Sequence, residues 1–137
     1  MSPHRRILSV ELDPILLSTR TLLLQSAGYS VCAVASCQQA LAELGAQFFD
    51  VLIISHTVPD SDQQILLEAA KKVRPLMPVL LLESSIGSQS EQLGPGIRSV
   101  DSHQPDKVLD TVGEMMVAKH APQNVSVTAF LGRGKNT

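Results

Sequence analysis

Five short apolar segments that alternate with longer amphipathic ones constrain the fold of this chain more than any other feature. Three of the five are almost continuously apolar, which is typical of strands covered on both faces of a parallel sheet. The short segments are bounded by polar or turn-forming residues and cover residues 7–10, 30–34, 51–54, 79–82 and 97–100. The alternation predicts an α/β fold, a doubly wound five-stranded parallel sheet with right-handed connections.

The first two amphipathic segments carry clear helix signals. Asp13 is a good N-cap ahead of Pro14, and Gly28 ends the same helix. Residues 36–39, Ser-Cys-Gln-Gln, have the form of a capping box, with Ser36 as the N-cap of the second helix. Both signals predict helices that connect strands of the sheet.

The later segments are less uniform. A third helix is expected from about Asp62 to the residues before Pro75, and the last helix from about Pro105. Residues 83–96 are poor in large apolar side chains and contain three glycines and a proline, so a short or irregular helix is expected there.

A chain of 137 residues is long enough for one domain with its own core. We expect a globular domain over residues 1–118 and a C-terminal tail over residues 119–137. In this short extension Val125 and Val127 alternate with polar residues, which permits an edge strand.

Composition excludes several functional classes. The formal charge is −2 and aromatic residues make up 3% of the chain, so neither a nucleic-acid interface nor a base-stacking platform is expected. Polar residues such as Glu11 and Arg20 interrupt the longest apolar stretches, which argues against a membrane span or a signal peptide. Two cysteines do not form a disulfide framework, and we expect them to be reduced. These features predict a cytoplasmic protein.

In an open parallel sheet, ligands bind beyond the carboxyl ends of the strands. The residues expected at that edge are 11–13, 55–56, 83–84 and 103–104. Candidate functional residues are therefore sought among them.

The order and spacing of these segments resemble the receiver domains of bacterial two-component response regulators. Residues 7–14 (ILSVELDP) resemble the family's first strand and acidic cluster, and residues 50–62 (DVLIISHTVPDSD) its third strand and loop. Residues 77–84 resemble the fourth strand, and residues 104–105 the lysine–proline step after the fifth. The resemblance covers about residues 5–118 and implies a flavodoxin-like (CheY-like) fold and a role in two-component or phosphorelay signalling.

The site residues that the resemblance implies are degenerate. Ser55 stands where the family accepts a phosphoryl group on aspartate, four residues before Pro59. Glu11 and Leu12 stand in place of the acidic pair that binds Mg²⁺, so one acid remains.

Three further family positions are altered. Glu83 replaces the hydroxyl residue that follows the phosphoryl group, and Gln104 replaces the lysine that pairs with the phosphoaspartate. Asp101 occupies the position of the switch aromatic.

These replacements act together against phosphoryl transfer. The reaction needs an ionised carboxylate nucleophile, a divalent ion and a cation on the phosphoryl oxygens. A serine hydroxyl without a neighbouring base is a weak nucleophile, and a single carboxylate holds Mg²⁺ weakly. We therefore expect a pseudo-receiver that is not phosphorylated, is not an enzyme, and uses no catalytic residue, cofactor or metal ion.

Alternatives remain open at this edge. Ser55 is either a small polar residue at a strand end or the target of an external serine kinase. Glu11, Glu83 and Gln104 either form a hydrogen-bonded cluster or are solvated separately. Asp13 is expected to cap a helix rather than to bind a ligand.

A transition-metal site is a further alternative. His56 and His103 follow strands at the same edge, with Glu11 nearby. Strand alternation places His56 on the opposite face from Ser55, which weighs against this site.

Two classes of function follow. The first is a signalling module that acts by protein–protein contact. Its candidate surfaces are the end of the last helix, where we expect Met115 or Met116 to be partly exposed, and the tail with Val125 and Val127. Pairing along a sheet edge would give a homodimer, and packing of the tail on its own domain a monomer. The second class is a small ligand- or metal-binding domain or enzyme that reuses the crevice at the strand ends, with Glu11, Glu83 and His103 as its reactive groups.

Overall fold

Five strands and four helices lie in the part of the chain that the structure describes. The computed structural model describes residues 5–83 and 96–120, and side chains as far as residue 116. The strands are β1 (Arg6–Val10), β2 (Ser30–Val34), β3 (Val51–Ile54), β4 (Val79–Glu83) and β5 (Ile97–Asp101). The helices are α1 (Pro14–Ser26), α2 (Cys37–Ala46), α3 (Asp60–Val73) and α4 (Pro105–His120).

The strands form one parallel sheet in the order β2-β1-β3-β4-β5. Parallel neighbours require crossover connections, and α1, α2 and α3 lie in the first three of them, whereas the connection from β4 to β5 falls outside the described residues. The predicted α/β fold with a five-stranded parallel sheet is confirmed.

Alternating side chains of the strands fill two apolar layers. Leu8 and Leu52 belong to the layer that α2 and α3 cover. Ile7 and Ile53 belong to the layer that α1 and α4 cover. Each face of the sheet therefore has its own core, which explains the nearly continuous apolar runs of β3 and β4.

The helix caps predicted from the sequence are present in the structure. The Asp13 carboxylate accepts hydrogen bonds from the backbone N–H groups of Ile15 and Leu16, and the Ser36 hydroxyl accepts one from Gln39. Gly28 follows α1 with φ +97°, a conformation that favours glycine. The third helix begins at Asp60 rather than Asp62, directly after Pro59.

The exposure expected for Met115 or Met116 is wrong. Both side chains are buried in the α1/α4 layer, with Val112 one turn and Val108 two turns earlier. The apolar stripe of α4 stays on the sheet through both methionines, and unbranched side chains fit such irregular gaps. They are not an exposed partner surface.

Some predictions concern residues that the structure does not describe. The irregular helix expected over residues 83–96 falls almost entirely in the undescribed segment 84–95, and Val125 and Val127 lie beyond residue 120. The division into a domain and a tail at residue 118 remains a prediction, although α4 extends to His120. No helix of the described residues is both long and apolar enough to cross a membrane.

Candidate functional site

The loops after β1 and β3 meet at the carboxyl edge of the sheet. β1 lies between β2 and β3, so the chain adds β2 on one side of β1 and β3 on the other, and such folds bind ligands in the crevice at this switch in strand order. The backbone N–H of Ser55 donates to the carbonyl of Val10 at 3.0 Å, and that of Glu11 donates to Val34 at 3.1 Å. The structure thus places Ser55 and Glu11 next to each other, as predicted.

Glu11 is paired with a cation that the chain itself supplies. Its side chain is fully buried, and its Oε1 atom lies 2.7 Å from Nη1 of Arg20, which is also buried. Oε2 accepts hydrogen bonds from the Asp13 backbone N–H at 2.9 Å and from the Thr57 hydroxyl. Both carboxylate oxygens are therefore occupied by donors from α1 and from the loops.

This set of donors keeps Glu11 ionised. Burial raises its pKa, but hydrogen bonds from Ser55, Thr57, the Asp13 backbone and Arg20 outweigh burial, so the pKa is lower than its ordinary value. A carboxylate in this state is a structural anion with low basicity, and it is a poor general acid or base at neutral pH.

Ser55 is not accessible from solvent. Its side chain is fully buried, and its Oγ atom lies 3.3 Å from both the backbone nitrogen and the hydroxyl oxygen of Thr57. A kinase would have to open the loop to reach it. The geometry favours the interpretation of Ser55 as a small polar residue at a strand end.

Leu12 and Asp13 form hydrogen bonds that hold the loop after β1 and the start of α1. The N–H of Leu12 donates to Thr57 Oγ1 at 3.1 Å, while its side chain points partly into solvent. Asp13 caps α1, as predicted. With Leu12 in place of an acid, Glu11 is the one carboxylate of this pair of positions.

The structure does not join Glu83 and Gln104 to Glu11. The carbonyl of Glu83 accepts from the Ser102 N–H at 2.8 Å, and the Gln104 N–H donates to the carbonyl of Asp101 at 3.2 Å. In the part of the chain that is described, the hydrogen-bond partners of the Glu11 side chain are Arg20, Thr57, Asp13 and Ser55. Of the two alternatives left open, the cluster of Glu11 with Glu83 and Gln104 is not formed among the described residues, and Glu11 has these partners instead.

Asp101 organises the loop after β5. Its Oδ1 atom accepts the backbone N–H of His103 at 2.9 Å and lies 3.2 Å from the Nδ1 atom of that ring. The backbone hydrogen bond is the main cause of a lowered Asp101 pKa. The rings of His103 and His56 are stacked, with centroids 6.4 Å apart, although β4 separates their strands.

Arg20 and Thr57 are the site residues that sequence reasoning missed. Arg20 interrupts the apolar pattern of α1 on its buried face, one turn before Leu24, which is also buried. An arginine at a core-facing position needs a buried partner, and Glu11 at the nearby strand end is the candidate. An arginine on the buried face of α1 together with a glutamate at the end of β1 could have indicated the ion pair.

α1 also exposes two large apolar residues. Ile15 is 75% exposed and Leu22 64% exposed, and they lie two turns apart on one side of the helix. Arg20 is the one charged residue of α1, and it is buried. The outer face of α1 is consequently uncharged and partly apolar.

Solved structures of receiver domains share this fold. A CheY-like response regulator receiver domain from Methanospirillum hungatei JF-1 superimposes with a TM-score of 0.74 at 25% identity, over 85% of this chain and 97% of that chain. A receiver protein from Sinorhizobium medicae WSM419 gives 0.75 at 19% identity, over 85% and 98%. The signal receiver domain of an HD domain-containing protein from Pseudomonas fluorescens Pf-5 gives 0.75 at 20% identity, over 88% and 100%.

No protein-family model and no curated protein sequence matches the chain. The structural neighbours are nevertheless consistent, and each is covered almost completely. The chain therefore has the fold of the CheY-like receiver domains of response regulators, which supports a role in signalling.

Proposed function

We propose that this chain is a receiver-like signalling domain that is not phosphorylated, is not an enzyme, and acts in the cytoplasm through contact with another protein. One observation carries the proposal. At the edge of the sheet where receivers bind a metal ion and accept a phosphoryl group, Glu11 is the one acid left at the two acidic-pair positions, and the buried guanidinium of Arg20 neutralises it.

Charge balance supports this proposal. A divalent cation at Glu11 would have to displace Arg20 or lie beside it in a region with little water, where like charges repel strongly. Displacement would leave a buried guanidinium without its partner, which is costly. Arg20 therefore neutralises the Glu11 carboxylate without a bound metal ion.

The second class of function, an enzyme or ligand-binding domain that uses Glu11, Glu83 and His103, has less support. Glu11 is occupied by hydrogen-bond donors, and no group of three His, Cys, Asp or Glu residues in the described chain is arranged to hold a metal ion. Glu11, whose two oxygens already accept these hydrogen bonds, lacks the freedom that acid–base catalysis needs.

Exposure to a small phosphodonor tests the proposal. The protein is incubated with acetyl phosphate and Mg²⁺, and its mass is measured intact, beside a receiver domain that retains the aspartate as a positive control. We expect no mass increase, because Ser55 supplies no carboxylate and is buried. A phosphoryl adduct labile to hydroxylamine would show an acyl phosphate on another residue and overturn the proposal.

A further inference from the structure

Two imidazole rings from different loops meet at the carboxyl edge. His56 follows β3 and His103 follows β5, and their ring centroids are 6.4 Å apart with an interplanar angle of 29°. The His103 side chain is 71% exposed and His56 is half-buried. The pair therefore lies at the surface of the crevice, outside the buried Glu11–Arg20 pair.

Asp101 prepares one of these rings for coordination. A carboxylate that accepts the Nδ1–H of a histidine orients the ring and leaves Nε2 with its lone pair free. Asp101 Oδ1 lies 3.2 Å from Nδ1 of His103 and is itself anchored by the His103 backbone N–H. In the tautomer with the proton on Nδ1, this is the arrangement of a carboxylate behind a metal-binding histidine.

We propose that His56 and His103 form a binding site for a divalent transition-metal ion such as Zn²⁺, with Asp101 as the positioning residue for His103. Imidazole nitrogen suits zinc, copper and nickel, whereas Mg²⁺ prefers oxygen ligands. The inference does not rest on the proposed signalling role, and it involves neither Ser55 nor Glu11.

The spacing of the rings fits such a site after a small adjustment. Two imidazoles that share one ion at about 2.0–2.1 Å from each nitrogen have centroids roughly 5–6 Å apart. A small shift of the exposed His103 ring that keeps its contact with Asp101 would close the difference from 6.4 Å. Two protein ligands leave further coordination positions for water, so we expect an open site.

The absence of a third ligand limits the affinity. Residues 5–83 and 96–116 contain no group of three or more His, Cys, Asp or Glu residues that could hold an ion. An open two-histidine site therefore binds more weakly than a structural zinc site, which has four protein ligands.

Calorimetric titration with ZnCl₂ tests the site in the full-length protein. We expect saturable binding of one Zn²⁺ that His56→Gln or His103→Gln weakens at least tenfold. Asp101→Asn should weaken it about tenfold, which is typical when the partner of a metal-binding histidine is removed. Mg²⁺ at the same concentration should not compete.

The remaining two histidines provide the matched control. His4 and His120 are replaced by Gln together, and binding should remain as in the unmodified protein. Circular dichroism confirms that each variant is folded. Binding that survives His56→Gln and His103→Gln, or that is lost in the His4/His120 variant, would overturn the inference. Shifts of the His56 and His103 ring nitrogens in NMR spectra on Zn²⁺ addition provide an independent readout.

Discussion

The Nη1 atom of Arg20 lies 2.7 Å from Oε1 of Glu11, and both side chains are buried. The pair connects the middle of α1 to the carboxyl end of β1. A buried ion pair is not strongly stabilising by itself, because both charges lose their hydration. Removal of one partner is costly, however, since the other charge remains buried without compensation.

The first prediction concerns this asymmetry. Arg20→Ala should lower the free energy of unfolding by about 3–5 kcal/mol, because it leaves Glu11 unpaired. Urea denaturation at neutral pH measures the change. The control is Arg98→Ala, which breaks a 2.8 Å pair with Glu114 whose side chains are 48% and 61% exposed. Exposed pairs contribute about 0–1 kcal/mol. Similar losses in the two variants would contradict the role of Arg20.

The second prediction concerns the stability of the folded protein at acidic pH. The folded protein lowers the pKa of Glu11 below its ordinary value of 4.5. The associated stability is complete above that value and is lost as the pH falls through the folded pKa. The difference in unfolding free energy between the unmodified protein and Glu11→Gln should therefore shrink as the pH is lowered from 7 past 4.5. A difference that stays constant down to pH 3 would contradict the assignment.

The third prediction concerns magnesium. Because Arg20 neutralises Glu11, millimolar Mg²⁺ should leave the melting temperature unchanged. A site with a Kd of about 0.1 mM would add about 1.4 kcal/mol at 1 mM ion. Thermal melting with and without MgCl₂ therefore resolves such a site. A rise of several degrees would show that Mg²⁺ binds despite the guanidinium.

The fourth prediction concerns the outer face of α1. Because this face carries no charge, two copies can bring it together without repulsion, and Ile15 and Leu22 supply the apolar contact. We expect a homodimer in light scattering that Ile15→Ser with Leu22→Ser converts to a monomer.

Leu76→Ser is the matched control for the fourth prediction. Leu76 is more exposed than either α1 residue and lies between α3 and β4. A dimer that is lost in this variant but retained in the α1 variant would assign the contact elsewhere. A monomeric unmodified protein would exclude a second copy as the partner of this face.

The fold could be predicted because its signals are local. Each strand is a short apolar run, and caps such as Asp13 and Ser36 act on N–H groups two or three residues away. The Glu11–Arg20 pair was missed because it depends on which face of α1 meets β1. The burial of Met115 and Met116 likewise depends on how far α4 follows the sheet, which helix periodicity alone does not specify.

The hydrogen bonds that converge on Glu11 also affect how the domain unfolds locally. One carboxylate accepts hydrogen bonds from the start of α1 through Asp13, from the middle of α1 through Arg20 and from the loop after β3 through Thr57. None of these segments can separate from the carboxyl edge without breaking a charge-assisted bond in a buried place. Their amide protons should therefore exchange with solvent together, as one cooperative unit.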